Sequence, residues 1–427
     1  MTPTVTALPY PILLFHPSVA PFIQQTGRAL QDAGWLARFM TTLIDDPQAP
    51  WQRLSAAVAS RLGYDLRRQL SRRRLIDIDR SRVVHQPWGE LLRIGASRCD
   101  RSGRLGDWVW ERTETGFDRW VSRHIQEAAA VYGYEHACLS TFQAAKAQGL
   151  RRIYEVPSPE HDFVHRLLQQ ELEKYPETQT EYHHYVAQHQ ARRTQRRRQE
   201  WELANIVIAN SNFTKNAYAA AGLPVDKVEV IPLGAPPVQS AGLEGGTHGE
   251  GPMRFLWAGT FSIRKGAHYL LQAWRQVVST QAQLSVFGAM KLPTTLLGDL
   301  PDTLKFSATV PQAELFQQYL QTDVLVFPTL CDGFGQVVTE ALAHGIPVIT
   351  TDRAGAADLI VHGENGLVIP AGDATALADA LNWCITHRAQ LREMRSQALT
   401  TAARWQWSDY RAALIRRLQT VLVEATP

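Results

Sequence analysis

Residues 324–349 read VLVFPTLCDGFGQVVTEALAHGIPVI, and this stretch decides the fold class. Its pattern predicts a buried strand, a glycine-rich turn that carries a carboxylate, a helix and then a second strand. Glycines let backbone N–H groups approach a ligand closely, and the helix directs its positive end towards the turn. Asp332 and Glu340 are eight positions apart. On a helix rising ~1.5 Å per residue they lie roughly 10 Å apart, which suits a ligand with two polar ends.

The alternation of strand-like and helix-like segments continues on both sides of this stretch, which favours an α/β fold with doubly wound parallel sheets. Residues 235–252 are rich in Gly, Pro and Ser and predict a linker between two domains. We therefore expect a first domain over 1–234 that contains a mostly helical, basic insertion at about 45–120. A second domain over 253–404 and a final amphipathic helix over 405–427, which packs back on the first domain, would follow.

Length and composition restrict the class of protein. A chain of 427 residues, with 45% hydrophobic and 20% charged residues, is typical of a globular protein with two domains. A net charge of +3 gives no support for a nucleic-acid partner. The four cysteines are scattered, which disfavours a zinc site and disulfides. With no secretory signal and no run of 18 apolar residues, the sequence predicts a cytoplasmic location, and peripheral attachment to the inner face of the membrane is the alternative left open.

The segment 332–340 resembles the Glu-x₇-Glu signature of the retaining family-4 glycosyltransferases, which have the GT-B fold of two Rossmann-like domains. Glu340 matches the second Glu of that signature, and Asp332 replaces the first. The similarity extends over about 204–427 and less closely over 10–40 and 129–160. The alternative interpretation is an ordinary strand–turn–helix whose glycines only make the turn.

A second stretch of similarity is AGTFSIRKG at residues 258–266, where a strand ends in a glycine turn. Fixed cations there can stabilise the negative charge that develops on a departing diphosphate. The family places an Arg directly after the Gly, where this chain has Thr260. Lys265 matches the family's Lys, and Arg264 is an adjacent candidate. A solvated pair of cations at a helix start is the alternative.

The resemblance implies that Glu340 binds the donor ribose and that Asp332 contacts hydroxyls of the transferred sugar. A carboxylate accepts two hydroxyl hydrogen bonds and so suits a vicinal diol. Replacing Glu by Asp shortens the reach by about 1.5 Å, which affects sugar identity or orientation. The predicted donor-binding residues are Glu340, Gly333, Phe334, Gly335, Gly259, Thr260, Gly288, Thr309 and Val310.

In the first domain, residues 132–136 (YGYEH) end a strand where the family often carries a His that contacts the transferred sugar. Tyr134 takes that place here and His136 follows two positions later, so both join Asp332, Arg264 and Lys265 as predicted catalytic residues. Which residue of the 134–136 segment takes over the role stays open.

Three further residues are predicted to line the cleft between the domains. Asn210 and Ser211 follow a strand at its carboxyl end, and His16 follows the first strand. Helix capping by Ser211 or its neighbour is an equal alternative.

Residues 192–198 contain five arginines. Their spacing covers several faces of a helix, so an exposed, solvated helix is the favoured interpretation. The sharper one is attraction to anionic phospholipid or to a lipid-diphosphate acceptor, with Arg72, Arg73 and Arg74 adding to the same face.

The sequence thus predicts a retaining glycosyltransferase that moves a sugar from a UDP- or GDP-sugar to an acceptor hydroxyl. The acceptor is a glycan, a lipid-linked sugar or a small molecule, polysaccharide biosynthesis being one setting. No cofactor and no metal are expected to be required, and no nucleic acid is expected as a partner. The alternatives are a non-catalytic nucleotide-sugar sensor or scaffold, or another GT-B enzyme such as a phosphorylase or epimerase.

Overall fold

A computed structural model describes residues 11–423, except 47, 51, 53–69, 71–72, 101, 240–250, 278 and 299. Its named strands form two parallel sheets of seven and six strands, with helices on their faces. The predicted fold class, two doubly wound Rossmann-like units, is confirmed.

The first sheet has the strand order β3-β2-β1-β4-β5-β6-β7. Its strands are β1 (Ile12–Phe15), β2 (Leu36–Thr41), β3 (Val83–His85), β4 (Ala130–Tyr134), β5 (Arg151–Val156), β6 (Ile206–Ala209) and β7 (Val228–Val230). All four residues of β1 are buried, as expected for a central strand of a parallel sheet that is covered on both faces.

Seven helices accompany the first sheet in the described residues. They are α1 (Pro21–Asp32), α2 (Trp88–Cys99), α3 (Arg104–Val121), α4 (Leu139–Ala147), α5 (His161–Lys174), α6 (Glu181–Leu203) and α7 (Asn212–Ala220). Helix α1 ends two residues before Gly34, whose φ of 74° turns the chain into β2.

The second sheet has the order β10-β9-β8-β11-β12-β13. Its strands are β8 (Met253–Ala258), β9 (Ala282–Phe287), β10 (Leu304–Ser307), β11 (Val324–Phe327), β12 (Val348–Thr351) and β13 (Gly366–Ile369). The helices around it are α8 (Ala267–Trp274), α9 (Gln312–Tyr319), α10 (Gln336–Ala343), α11 (Ala374–Thr386) and α12 (Arg388–Arg404).

Each sheet has a point where the strand order reverses direction. In the first sheet this point lies between β1 and β4, and in the second it lies between β8 and β11. Loops that leave neighbouring strands in opposite directions open a crevice at their carboxyl ends, where open α/β sheets bind ligands.

Near Ala235 and residues 405–407, two segments that lead from one sheet to the other run side by side. Ala235 donates its N–H to the Trp405 carbonyl at 2.9 Å, and Trp407 donates to the Ala235 carbonyl at 3.2 Å. The last helix, α13 (Trp407–Val423), then packs against α1, where the hydroxyls of Tyr410 and Thr26 are 2.9 Å apart.

Helix α5 also joins the two parts of the molecule. It follows β5 of the first sheet, yet Leu167 and Leu172 lie in the hydrophobic core of the second sheet. Near its end, Glu171 accepts hydrogen bonds from the Tyr269 hydroxyl at 2.9 Å and from His268 Nε2 at 3.1 Å.

The segment predicted as a helical insertion at about 45–120 is more closely integrated than expected. It supplies the edge strand β3, which pairs with β2 from Phe39 to Thr41, and Phe117 of α3 lies in the core of the first sheet. A three-residue strand has too little apolar pattern of its own to be recognised, because its pairing depends on β2. The arginine at position 72 lies outside the described residues.

Candidate active site

The loops after β8 and β11 meet at the reversal point of the second sheet. Lys265, in a 3₁₀ turn over Ile263–Lys265, contacts Asp332 Oδ2, and Arg264 Nη1 lies 3.7 Å from the same oxygen. Arg264 also donates to the Cys331 carbonyl at 2.9 Å. The structure therefore brings together three residues that the sequence predicted from two separate stretches.

The ammonium group of Lys265 is largely desolvated. It lies 4.8 Å from the ring centroid of Phe327, and burial, followed by the charge of Arg264, lowers the pKa of Lys265 to about 7. The contact with Asp332 opposes this shift by favouring the charged form. A desolvated cation interacts more strongly with an anion than an exposed one does, so this position suits a diphosphate.

The turn after Asp332 is fixed by its own backbone. Asp332 Oδ1 accepts the N–H of Phe334 at 3.2 Å, and the Asp332 carbonyl accepts the N–H of Gly355 at 3.0 Å. Gly335 begins α10 with a φ of 89°, a conformation that favours glycine. The N–H of Phe334 is thus bound within the turn, and the role of Phe334 in binding the donor stays a prediction.

Glu340 lies on α10 with its carboxylate held by two side chains of α9. Gln312 Nε2 donates to Oε1 at 2.8 Å, and the Tyr319 hydroxyl donates to Oε2 at 3.1 Å. Burial raises the pKa of Glu340, and these two hydrogen bonds lower it in part. The ring of His344 stacks on Tyr319 at 5.1 Å. The carboxylate is thus oriented before any ligand binds and retains acceptor capacity for a diol.

The remaining predicted donor residues follow the ends of β8, β9 and β10. Gly259 donates to the Phe287 carbonyl at 2.9 Å, and Gly288 donates to the Ser307 carbonyl at 3.1 Å. A Cβ at Gly288 would lie 1.9 Å from the Gly259 carbonyl oxygen, so the two backbones pass too closely for a side chain there. Thr260 is exposed beside Gly259, and Thr309 and Val310 follow β10 and precede Gln312.

Residues after β6 contact the Asp332 turn directly. Ser211 Oγ donates to the Gly333 carbonyl at 2.6 Å, and Thr214 Oγ1 lies 3.2 Å from the same oxygen. Asn210 Nδ2 donates to the Pro157 carbonyl at 2.8 Å. Ser211 also accepts the N–H of Thr214 and caps α7, so the capping alternative is confirmed, and its role in the cleft stays a prediction.

His16 and Tyr134 lie at the reversal point of the first sheet, but only His16 is near the surface. Their rings meet edge-to-face at 4.9 Å, and burial lowers the pKa of His16 to about 4. Tyr134 is buried, and its hydroxyl donates to Thr26 at 3.0 Å. The prediction that Tyr134 contacts the transferred sugar is corrected, since its polar atom points into the core.

His136 does not reach the cleft either. It is 2% exposed, its φ is 75°, and its ring stacks on Trp110 of α3 at 4.7 Å. Its N–H is bound by Glu200 of α6 at 2.7 Å. Helices α3 and α6 therefore cover the end of β4, and the prediction of a sugar contact for His136 is also corrected.

The arginines of residues 192–198 are mostly internal. Arg193 pairs with Asp107 and Glu111, Arg196 with Asp118, and Arg197 with Glu135. The favoured interpretation of a solvated helix is wrong for these three. The acids come from α3 and from Glu135, which directly follows β4, so the run links α6 to its neighbours, and a membrane contact would need another surface.

Two groups of residues in and around the site were missed by the sequence analysis. Gln312 and Tyr319 are seven positions apart, so they lie on one face of a helix, and that spacing could have identified them as partners for a carboxylate. The contacts of Glu171 with His268 and Tyr269 had no signal, because they join residues about a hundred positions apart.

Within the described parts of the chain, no group of three or more His, Cys, Asp or Glu side chains is placed to hold a metal ion. None of the described helices combines the length and the hydropathy needed to cross a bilayer.

Comparison with known proteins relates the part of the chain that forms the second sheet to one protein family. Residues 252–387 match the family of glycosyl transferases group 1. The capsular polysaccharide biosynthesis glycosyltransferase CapM of Staphylococcus aureus is 36% identical over 138 residues, which are 30% of this chain and 35% of CapM. The matches to the first curated relatives span less than half of those proteins' lengths. The resemblance seen in the sequence is confirmed for this part of the chain.

Solved structures share the whole arrangement. Anabaena HepE in complex with UDP superposes with a TM-score of 0.62 at 18% identity, covering 96% of this chain and all of that one. Sucrose-phosphate synthase from Thermosynechococcus elongatus gives a TM-score of 0.66 at 18% identity, over 97% of this chain and all of that one. At this identity the likeness establishes the fold, and that fold is GT-B.

Proposed function

We propose that this chain, whose residues 252–387 carry a group 1 glycosyl transferase domain, moves a sugar from a nucleoside-diphosphate donor to an acceptor hydroxyl. The observation that carries the proposal is the convergence of Arg264, Lys265 and Asp332 at the reversal point of the second sheet. Two cations and a carboxylate at one crevice fit a ligand with an anionic diphosphate and a neutral, hydroxyl-rich sugar.

The donor would lie along the carboxyl ends of β8 to β11. Glu340, preorganised by Gln312 and Tyr319, takes the ribose hydroxyls. Lys265 and Arg264 take the diphosphate, and Asp332 takes sugar hydroxyls. HepE is known in complex with UDP, which makes a UDP-sugar the first donor to test, with GDP-sugars as the alternative.

In the reaction the bond from the anomeric carbon to the diphosphate oxygen breaks, a bond from that carbon to the acceptor oxygen forms, and the proton of the acceptor hydroxyl passes to the leaving diphosphate. The negative charge that develops on the leaving diphosphate is stabilised by Lys265 and Arg264. Resemblance to family-4 enzymes supports retention of configuration. The acceptor, a glycan, a lipid-linked sugar or a small molecule, would enter between the two sheets on the side of His16 and Asn210.

Contacts between the two halves support closure of the cleft during transfer. Ser211 and Thr214 bind the Gly333 carbonyl, one residue from Asp332. Closure at this point would exclude water from the donor and so suppress its hydrolysis.

The test is thermal stabilisation by UDP, GDP and their sugars, with and without Mg²⁺, together with release of the nucleoside diphosphate in the presence of acceptors. We expect one nucleotide to raise Tm in the wild type and in the exposed control Glu364→Ala, but not in Glu340→Ala. No stabilisation by any nucleotide would overturn the donor site. Stabilisation with no turnover on any acceptor would favour the sensor, provided that Asp332→Glu does not restore activity.

A further inference from the structure

The hairpin of α2 and α3 presents large apolar side chains to solvent. Trp88 and Leu92 of α2 are 67% and 66% exposed, and Leu105 and Trp108 of α3 are 45% and 49% exposed. Within each helix the two residues are three or four positions apart, so each helix carries one apolar stripe. Burying such side chains is normally favourable, so a concentration of them at the surface indicates a binding partner.

The two helices run antiparallel and in close contact, which leaves these stripes unused by their own packing. A Cβ at Gly89 would lie 3.2 Å from Thr113 Cβ, and one at Gly106 would lie 3.6 Å from Ser97 Cα. Glycines at the contact let the backbones approach, so the helices pair through small residues while the indoles point outward.

Positive and negative side chains are distributed unevenly over the same hairpin. Among the described residues of 88–121, every exposed charged side chain is an arginine: Arg98, Arg104, Arg112 and Arg119. Arg112 lies over the ring of Trp108 at 5.0 Å, and Arg104 also pairs with Glu181 of α6 at 3.0 Å.

Three acids of the hairpin pair with arginines away from this face, while Asp100, in the turn between the helices, accepts the N–H of Leu105 at 2.6 Å. Glu90 pairs with Arg73 and Arg93, and Asp107 and Glu111 pair with Arg193. Arginine side chains of α6 thus pair with Asp107 and Glu111 on the inner side of the hairpin. The outer face of the hairpin is left both apolar and positive.

We propose that the outer face of α2 and α3, defined by Trp88, Leu92, Leu105 and Trp108 with the four exposed arginines, docks on an anionic phospholipid bilayer. Indoles are favoured at the headgroup level of membranes, and arginines are attracted by anionic lipid. The exposed charged side chains of the two helices are arginines, on helices about 18 and 27 Å long. This excess of positive charge complements a bilayer surface, where negative charge is uniform. The proposal goes beyond the transfer reaction and does not depend on it.

Helix α3 connects this surface with the end of β4. On its inner side, Trp110 stacks on His136 at the end of β4, beside the reversal point of the first sheet. A docked hairpin would therefore hold the first-sheet side of the cleft close to the bilayer, where an acceptor carried by a lipid would be within reach.

Co-sedimentation tests the proposal with vesicles of phosphatidylcholine alone or with 30% phosphatidylglycerol, at low and high salt. We expect the partition coefficient of the full chain to be about tenfold higher on the anionic vesicles, and to fall with salt. The double variant Trp88→Ser, Trp108→Ser should lower it about tenfold. The pair Arg112→Gln, Arg119→Gln should lower it about fivefold for each arginine. The control pair Phe306→Ser, Val361→Ser, exposed on the second domain, should leave it unchanged.

Several results would overturn the proposal. These are no wild-type binding, equal binding to both vesicles, or a control pair that loses as much as the tryptophan pair. Light scattering after gel filtration tests whether a second copy of the chain binds this face instead. A wild-type dimer that is lost in the double variant Trp88→Ser, Trp108→Ser would assign the face to that second copy. Thermal melting checks that each variant is folded. If the tryptophan double variant is unfolded, the arginine double variant provides the test of vesicle binding. Nucleotide binding, measured separately, reports on the donor site alone.

Discussion

Replacing Asp332 by Asn should separate nucleotide binding from sugar transfer. Asp332 Oδ2 contacts Lys265 and lies 3.7 Å from Arg264, so in the free protein this carboxylate holds the cations that we assign to the diphosphate. A diphosphate that reaches the same cations must approach the carboxylate as well. The two anions then repel each other, and the variant removes that repulsion while keeping the size of the side chain.

The magnitude follows from the geometry. A phosphate oxygen bound about 3 Å from Lys265 Nζ would lie roughly 6 Å from the carboxylate. Two unit charges at that distance repel by about 3 kcal/mol at an effective dielectric constant of ~20. Arg264 is partly exposed, so water and the cations screen about half of this. We expect UDP or GDP to bind about tenfold more tightly to Asp332→Asn.

Transfer should change in the opposite direction. An amide accepts sugar hydroxyls less strongly than a carboxylate, and a lost charge-assisted hydrogen bond costs about 1.5–3 kcal/mol. We therefore expect kcat/KM to fall about 10- to 100-fold while the nucleoside diphosphate binds better. Calorimetry gives the affinity and release of the nucleoside diphosphate gives the rate, with the exposed Asp302→Asn as a control of equal charge. Unchanged or weaker nucleotide binding by a folded Asp332→Asn would refute the reasoning.

Two further predictions concern closure and pH. A Cβ at Gly333 would lie 1.9 Å from the Pro157 carbonyl oxygen, so Gly333→Ala should keep nucleotide affinity within about twofold but lower kcat more than about tenfold. Gly251→Ala, which meets no atom within 4 Å, is the control, and equal rates in both variants would contradict a closed state in catalysis. Burial raises the pKa of Glu155 to about 7, so the folded state holds a proton that the unfolded state has lost, and stability falls as pH rises from about 4.5 through 7. Between pH 5 and 8 the wild type should therefore lose up to about 3 kcal/mol of its free energy of unfolding through this group. The variant Glu155→Gln, which cannot titrate there, should lack that loss when both proteins are unfolded in urea. An unchanged pH slope would show that Glu155 is not protonated in the fold.

The parts of the fold that could be predicted from sequence are those that depend on the order of residues within a short segment. Buried parallel strands such as β11 and β12 appear as continuous apolar runs, and glycines such as Gly335 mark the turns between strands and helices. The donor side of the site was predicted for the same reason, since each of its stretches is a strand end followed by a turn. Strand β3 escaped because its pairing with β2 is not visible in three residues.

The first-sheet side of the site was harder, because distant segments decide it. Tyr134 has the right place at the end of β4, but its hydroxyl joins Thr26 and, through it, Tyr410, which lies 384 positions from Thr26. His136 is covered by Trp110 of α3. The arginines of α6 looked solvated because their acidic partners, such as Asp107 and Asp118, lie about eighty positions away. Spacing within one helix carries no information about such partners.

The side-by-side passage of Ala235 and residues 405–407 has a mechanical consequence. The two hydrogen-bonded backbone segments form a hinge between the sheet units. Sliding or twisting of one unit against the other would break the hydrogen bonds of Ala235 with Trp405 and Trp407. Bending about the line between the two segments would keep these hydrogen bonds. We therefore expect the cleft to open by bending about this line, against the packing of α5 on the second sheet, and a distance between labels on the two units would report that bending.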